Sequence, residues 1–338
     1  MDYDAILLVS FGGPEKREDV IPFLENVLKG KNVPRERMLQ VAEHYYHLGG
    51  KSPLNDQNRA LIAALHCELE KSGLRLPIYW GNRNWHPLLR ETLRVMQRDG
   101  VRRALAFVTS AYSSYSSCRQ YLEDIARAQA LVGEGAPVID KLRAFYNHPG
   151  FIAAAKERAR EALAEIPAER REAAHLLYTA HSIPLSMAQN CRYVEQLEEA
   201  CRLVSQQLGR RGENDQLVYQ SRSGPPTQPW LGPDIMDYLH QLANGARTRD
   251  VVVVPIGFIS DHMEVLYDLD TEARRLCSQL GLHMIRAATV GTHPEFVRMI
   301  RDLILERIEE NASRKALGRL GPEPDVCKAG CCLPPGGP

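Results

Sequence analysis

The chain is predicted to be an α/β protein made of two similar half-domains with parallel sheets. Short apolar runs rich in β-branched residues alternate with helical periodicity from end to end, and one helix-start pattern occurs twice. At 338 residues the chain also exceeds what one small core needs.

Taken in order, the candidate strands are "AILLVSF" (5–11), "LPIYWGN" (76–82), "RALAFVTSAY" (103–112) and "PVIDKLRAF" (137–145). They continue as "AHLLYTAHS" (174–182), "LVYQSRS" (217–223), "VVVVPIGFIS" (251–260) and "HMIRAATVG" (283–291). Amphipathic stretches such as "PLLRETLRVMQRDG" (87–100) and "YVEQLEEACRLVSQQLG" (193–209) separate them. This rhythm predicts parallel strands with right-handed crossovers and helices on both faces. Ligands then belong at the carboxyl ends of the strands.

The repeat is "YNHPGFIAAAKERAREAL" (146–163) against "GTHPEFVRMIRDLILERI" (291–308), each following a strand and continuing as a long helix. Proline suits a first helical turn because it has no N–H to leave unpaired there. We therefore divide the chain into half-domains 1–145 and 146–310 facing each other across a cleft. The competing reading is that His-Pro is simply a good helix start, as "WHPLLRETL" at 85–93 suggests. The segment 311–338, rich in Pro and Gly, is expected to be an irregular tail, either docked on the body or disordered.

Lys plus Arg (42) balance Asp plus Glu (42), which disfavours nucleic acid and anionic membranes as partners. The longest apolar runs fall short of a bilayer span. "MDYDAILLVS" has acids before its apolar run and no basic n-region, so it is expected to be a first strand and not a signal peptide, with a cytoplasmic address following. Of eight cysteines, Cys67, Cys191, Cys201 and Cys277 sit singly in helical patterns and are expected to be small buried hydrophobes.

Four stretches could carry chemistry. After the valine run, "GFISDH" leads into a helix through "MEVLYDLDTEARRLCSQLG", on which Glu264, Asp268 and Glu272 fall at i, i+4 and i+8, a row of three carboxylates. Such a row is usually a solvated face, but this one starts where a central strand ends. His181, in "YTAHSIP", stands at another strand's carboxyl end. Two histidines, His181 and His262, together with carboxylates at the mouths of two strands suit metal handling or proton transfer. The rigid loop "VYQSRSGPPTQPWLGPDI" (218–235) offers Ser221, Arg222 and Ser223 as donors and Trp230 as an aromatic wall. Gly12-Gly13-Pro14 meets no phosphate-loop pattern, so no nucleotide site is expected there.

Together, "LLVSFGGPE", "HYYHLGGKSPLN", "YWGNRNWHP", "YTAHSIPLSM", "YQSRSGPP" and "PIGFISDHMEVLYDLDTEA" resemble a ferrochelatase along almost the whole chain. The resemblance implies two Rossmann-like half-domains with four-stranded parallel sheets, clasping a porphyrin, plus a C-terminal helix and a cysteine-rich tail. It implies insertion of Fe(II), with His181 facing the porphyrin centre, Glu264 opposite, and Asp268 and Glu272 continuing the acidic line. In the family this helix tends to carry a π-type distortion. Porphyrin contacts are implied for Ser52, Tyr121, Arg83, Ser221, His262 and Phe11. Phe11 stands where many relatives of the coproporphyrin-using type carry tyrosine, so that phenolic ligand is lost. The spellings "GNRNWHP" and "SRSGPPTQPWL" look most like actinobacterial enzymes that metallate coproporphyrin III. Protoporphyrin IX is the alternative substrate. Rival readings are a chelatase for another metal such as cobalt, a non-catalytic tetrapyrrole carrier, and a two-domain solute-binding protein.

The tail places Cys327, Cys331 and Cys332 together, one thiolate short of a [2Fe–2S] ligand set. Cys118 stands where cluster-bearing ferrochelatases place their internal ligand. Zinc or free thiols are the competing readings. The protein is expected to be a monomer, with transient contacts to neighbouring heme-pathway enzymes.

Overall fold

The computed structural model describes residues 3–31, 33–224, 227–245, 248–328 and 330–334. Among these, the strands are β1 (Ala5–Ser10), β2 (Ile78–Asn82), β3 (Arg103–Val108), β4 (Val138–Lys141), β5 (His175–His181), β6 (Asp215–Gln220), β7 (Asp250–Val254) and β8 (His283–Arg286). They form two four-stranded sheets, ordered β2-β1-β3-β4 and β6-β5-β7-β8. Every pairing is parallel. The central strands β1 and β7 are buried at every residue. Burial on both faces explains why they read as unbroken apolar runs with no alternation.

The two halves thus share one topology, and the repeated His-Pro segments occupy equivalent places. His148 and His293 each cap a helix (Pro149–Ala164 and Pro294–Ile308) by accepting from the N–H two residues on, at 3.1 and 3.2 Å. An imidazole nitrogen here does what an N-cap oxygen usually does, satisfying an orphan donor. Burial holds His148 down to about 4, so its capping nitrogen stays unprotonated. The third His-Pro, at 86–87, is a cis peptide and precedes a helix that begins only at Leu89. The two capped helices cross closely: a Cβ on Gly150 would lie 2.6 Å from the Glu295 carbonyl oxygen.

The described tail is held against the body at Leu317, Gly321, Glu323 and Cys331. Asn147 receives the Leu317 N–H and donates to the Gly321 carbonyl, both at 2.8 Å. Arg143, almost fully buried, forks onto both Glu306 oxygens and also donates to the Lys315 carbonyl. One expectation about the lone cysteines is corrected. Cys67 is exposed, on the solvent side of the Leu54–Lys71 helix, and Cys191 lies in a turn before its helix, whereas Cys201 and Cys277 are buried. The pattern around residue 67 is amphipathic, and the thiol falls on the polar side.

Candidate active site

β5 pairs with β7 only as far as Tyr178–Val254, whereas its pairing with β6 runs on to His181–Gln220. His181 therefore projects beyond β7. The chain leaving β7 crosses directly over the end of β5. Gly257 donates to the Thr179 carbonyl at 2.9 Å, and a Cβ at 257 would sit 2.6 Å from that of Ala180. Only glycine permits so close an approach. The crossing carries "ISDHME" back toward His181.

The result is a contact between residues 83 apart in sequence: His181 Nε2 lies 3.6 Å from Glu264 Oε2. The other ring nitrogen of His181, Nδ1, faces the Ser182 carbonyl. A carbonyl can only accept, so Nδ1 carries a proton and Nε2 is the nitrogen that titrates toward the gap. Tyr193 donates to the His181 carbonyl at 3.0 Å and fixes its backbone. His262 stands 4.0 Å from the same Glu264 oxygen, accepts from the Glu264 N–H at 3.2 Å, and rests edge-on against Phe258.

The carboxylates follow on a π-helix, Val265–Ala273, entered from Glu264 and continued by Arg274–Gln279. Periodicity alone predicts an α-helix here; the wider i→i+5 turn agrees with the distortion that the resemblance implied. Ser221 and Gln220 both donate to Asp268 Oδ2. Ser221 sits at φ 61°, a left-handed conformation costly for a non-glycine residue, and this turn aims its hydroxyl at the acid. Glu272 lies half-buried further along the helix. Pro225 and Pro226 of the expected loop fall outside the described residues; Trp230 packs over Gly224, where a Cβ would meet its ring at 2.5 Å.

The environment separates the acids. Burial raises Glu264, but the imidazolium of His181 outweighs it and brings this carboxyl down to about 2. Burial, then the Glu264 charge, push Asp268 up to about 7 despite its two donors. For His181, burial favours the neutral ring, yet the Glu264 charge prevails and the pKa rises. Burial lowers His262, in keeping with its acceptor role. The Glu264 side chain is 50% exposed and that of His181 33%, so the pair is open to solvent at the strand ends. Neighbouring carboxyls driven in opposite directions are the usual sign of divided acid and base roles.

In the first half-domain, Phe11 is 38% exposed and meets Phe23 edge-on at 6.2 Å. Phe23 in turn meets Tyr45 at 5.8 Å. Burial and the Glu264 charge raise Tyr45, on the Arg35–His47 helix. The other implied rim residues are differently placed. Ser52 is 2% exposed and packs on Gly13, while Tyr121 is 5% exposed beneath the Arg83 guanidinium, 4.5 Å from its ring centroid. Arg83 is itself engaged by Asp124. Ser52 and Tyr121 thus pack into the wall of the first half-domain and present little surface of their own. Sequence reading also missed Tyr45, Gln57 and Arg286, whose partners lie on distant segments.

The thiols of Cys118, Cys327, Cys331 and Cys332 share one neighbourhood. Cys118, on a π-turn at Tyr115–Arg119, lies near Cys327, and this neighbour together with burial drives its thiol pKa up. Cys331 and Cys332 sulfurs lie 3.4 Å apart, and Arg119 donates to the Cys331 carbonyl at 3.0 Å. Among the described residues, no group of three or more His, Cys, Asp or Glu side chains is placed to hold a metal ion. The donor set is nevertheless four thiols, the chemistry a [2Fe–2S] cluster uses.

Paired parallel sheets of this order, with an imidazole and carboxylates at the mouth of the second, define a chelatase fold. It is shared with SirB of Bacillus subtilis solved with Fe3+ (TM-score 0.55 at 13% identity, covering 91% of this chain and 99% of that one). It is shared too with CbiX, described as the terminal enzyme for siroheme biosynthesis in denitrifying bacteria (TM-score 0.51, 14%, 89% and 98%).

The chain belongs to the ferrochelatase family, whose model, Ferrochelatase, matches residues 3–308. It is 56% identical over 331 residues to the ferrochelatase of Rhodopirellula baltica, covering 98% of this chain and 93% of the relative. It is 50% identical to the coproporphyrin III ferrochelatase of Streptomyces coelicolor (98% and 93%) and 47% identical to that of Nocardia farcinica (99% and 97%). It is thus an enzyme of the lyase class that inserts iron into a porphyrin in heme biosynthesis.

Proposed function

We propose that the substrate is coproporphyrin III, converted to coproheme, and that His181 and Glu264 are the catalytic pair. The observation that carries the assignment of the pair is the 3.6 Å approach of Nε2 and Oε2 inside the cleft. The substrate assignment is supported by relatives of that name at about half identity over nearly the whole chain. Four carboxylates on coproporphyrin, against two on protoporphyrin IX, suit a polar cleft. Arg83, although paired with Asp124, still contributes to lowering nearby Lys31, after burial.

Metallation must remove two pyrrole protons as the iron–nitrogen bonds form. The His181–Glu264 pair holds one proton between Nε2 and Oε2, and a place that attracts a proton this way also attracts a dication. On this reading Fe(II), the substrate, enters along Glu272 and Asp268 and displaces that proton toward Asp268, whose carboxyl titrates at about 7. When iron passes into the macrocycle, the vacated Nε2 takes one pyrrole proton and the Glu264 carboxylate takes the other, both to be passed on to solvent. His262 holds the Glu264 backbone in register through its 3.2 Å bond.

We take 1–145 and 146–310 as the two half-domains and 311–338 as the tail. Cys118, Cys327, Cys331 and Cys332 would hold a [2Fe–2S] cluster, which supplies cross-linking of tail to first half-domain and, by its nature, one-electron chemistry. The enzyme is read as a cytoplasmic monomer, with transient contacts to neighbouring heme-pathway enzymes. No described helix is long and apolar enough to cross a membrane.

The deciding experiment is an anaerobic assay offering Fe(II) with coproporphyrin III and protoporphyrin IX in parallel. Faster turnover of the former is expected; preference for the latter transfers the assignment to protoporphyrin.

A further inference from the structure

We infer that Arg286 is a positioning residue for metal insertion, a clamp that sets both ends of the segment presenting His262, Glu264 and Asp268. The inference rests on the proposed role of that segment and names a residue outside it. Arg286 is the last residue of β8, and its side chain is only 13% exposed. Its Nε reaches Asp270 Oδ1 and Oδ2 at 2.8 and 3.0 Å. From the same guanidinium, Nη1 reaches Asp261 Oδ1 at 3.1 Å and Nη2 reaches Asp261 Oδ2 at 3.4 Å.

These two aspartates bracket the chemistry. Asp261 immediately precedes His262, and Asp270 lies on the π-helix between Asp268 and Glu272. One rigid fork thus ties the start of the segment to the middle of the widened helix. Such planar, bidentate geometry is what arginine supplies and lysine does not.

The segment is also held from across the cleft. Gln57, on the Leu54–Lys71 helix of the first half-domain, accepts from the Asp261 N–H at 2.9 Å and donates to the Asp261 carbonyl at 3.2 Å. Asp261 is therefore fixed by its backbone to one half and by its carboxylate to the other. Arg274 completes the network at 3.3 Å from Asp270. Without the fork, the Gln57 and Ser221 bonds remain but the tie between Asp261 and Asp270 is lost, and with it the setting of the acids against His181, which sits on a different strand.

The test is Arg286→Lys, which keeps the charge and removes the fork. It is compared with the wild type for iron insertion, porphyrin binding by fluorescence, and binding of Mn(II), a cation that prefers carboxylates to thiols, by electron paramagnetic resonance. Misplacement of about 1 Å can cost on the order of 100-fold. We expect kcat to fall between about 10- and 100-fold, Mn(II) affinity to fall about 10-fold, and porphyrin affinity to stay unchanged. Unchanged kcat and Mn(II) affinity overturn the inference, as does an equal loss of porphyrin affinity, which marks a merely structural role. If wild type itself does not insert iron, the proposed function fails and the Mn(II) ratio alone decides on Arg286. Should the lysine variant not fold, Asp270→Asn removes one half of the clamp and is judged by the same readings.

Discussion

Glu264→Gln removes a charge and keeps the shape, so it isolates what the carboxylate does for His181. At 3.6 Å a full ion pair in surroundings of effective dielectric ~20 amounts to about 4 to 5 kcal/mol. Glu264 is half exposed, and solvent screening draws the value down toward the ~1 kcal/mol of open pairs. Either figure leaves the sign clear. Burial acts on His181 in one direction and the Glu264 charge in the other; with the charge gone, the imidazole titrates at lower pH. Asp268 loses the repulsion that helps hold it at about 7, so its titration also moves to lower pH. Loss of a positioned acid–base group costs on the order of 100- to 10,000-fold. The assay is anaerobic iron insertion followed across pH, with porphyrin affinity measured separately by fluorescence quenching. We expect kcat to drop within that range, the pH-dependent rise to shift to lower pH, and porphyrin binding to persist. Full turnover with an unmoved pH profile would refute the pairing.

Two other substitutions probe the supports of the site. Gly257→Ala places a methyl 2.6 Å from Ala180 Cβ and 2.7 Å from its Cα; backbone cannot yield there cheaply, so thermal melts should show a loss of about 1 to 3 kcal/mol, with turnover falling as His181 is displaced. An unchanged melting temperature would show that the crossing can relax. Freshly purified wild type should absorb in the visible and release labile sulfide, and Cys118→Ser should lose both; a colourless wild type without sulfide refutes the cluster.

What could be read from sequence follows the physics of each feature. The strands β1 and β7 announce themselves because a strand buried on both faces must be apolar throughout, and "AILLVS" and "DVVVV" satisfy that locally. The capped helices at Pro149 and Pro294 are equally local, each needing one histidine and one proline. His181 and Glu264 are legible as a pair only because α/β topology sends both strand ends to the same side. The π-helix is not legible from periodicity, since carboxylates four apart suit an α-helix as well, and it was anticipated only through the resemblance. Ser52 and Tyr121 differ again: their segments stand out as motifs, but the packing of Ser52 on Gly13 and of Tyr121 beneath Arg83 depends on residues distant in the chain.

Arg286 and Gln57 lie beyond any local reading. Gln57 finds Asp261 across 204 residues, and Arg286 sits at the end of a short strand where a solvated arginine is the ordinary expectation. Their meaning arises only when two half-domains close on each other. Catalytic side chains can then be named from motifs, whereas the residues that hold them in place have to be found from the partners they keep. A segment tied by its backbone to one half-domain and by its carboxylate to the other will feel any opening of the cleft. In this fold, the spacing between His181 and the acids is therefore coupled to how the halves sit around a bound macrocycle.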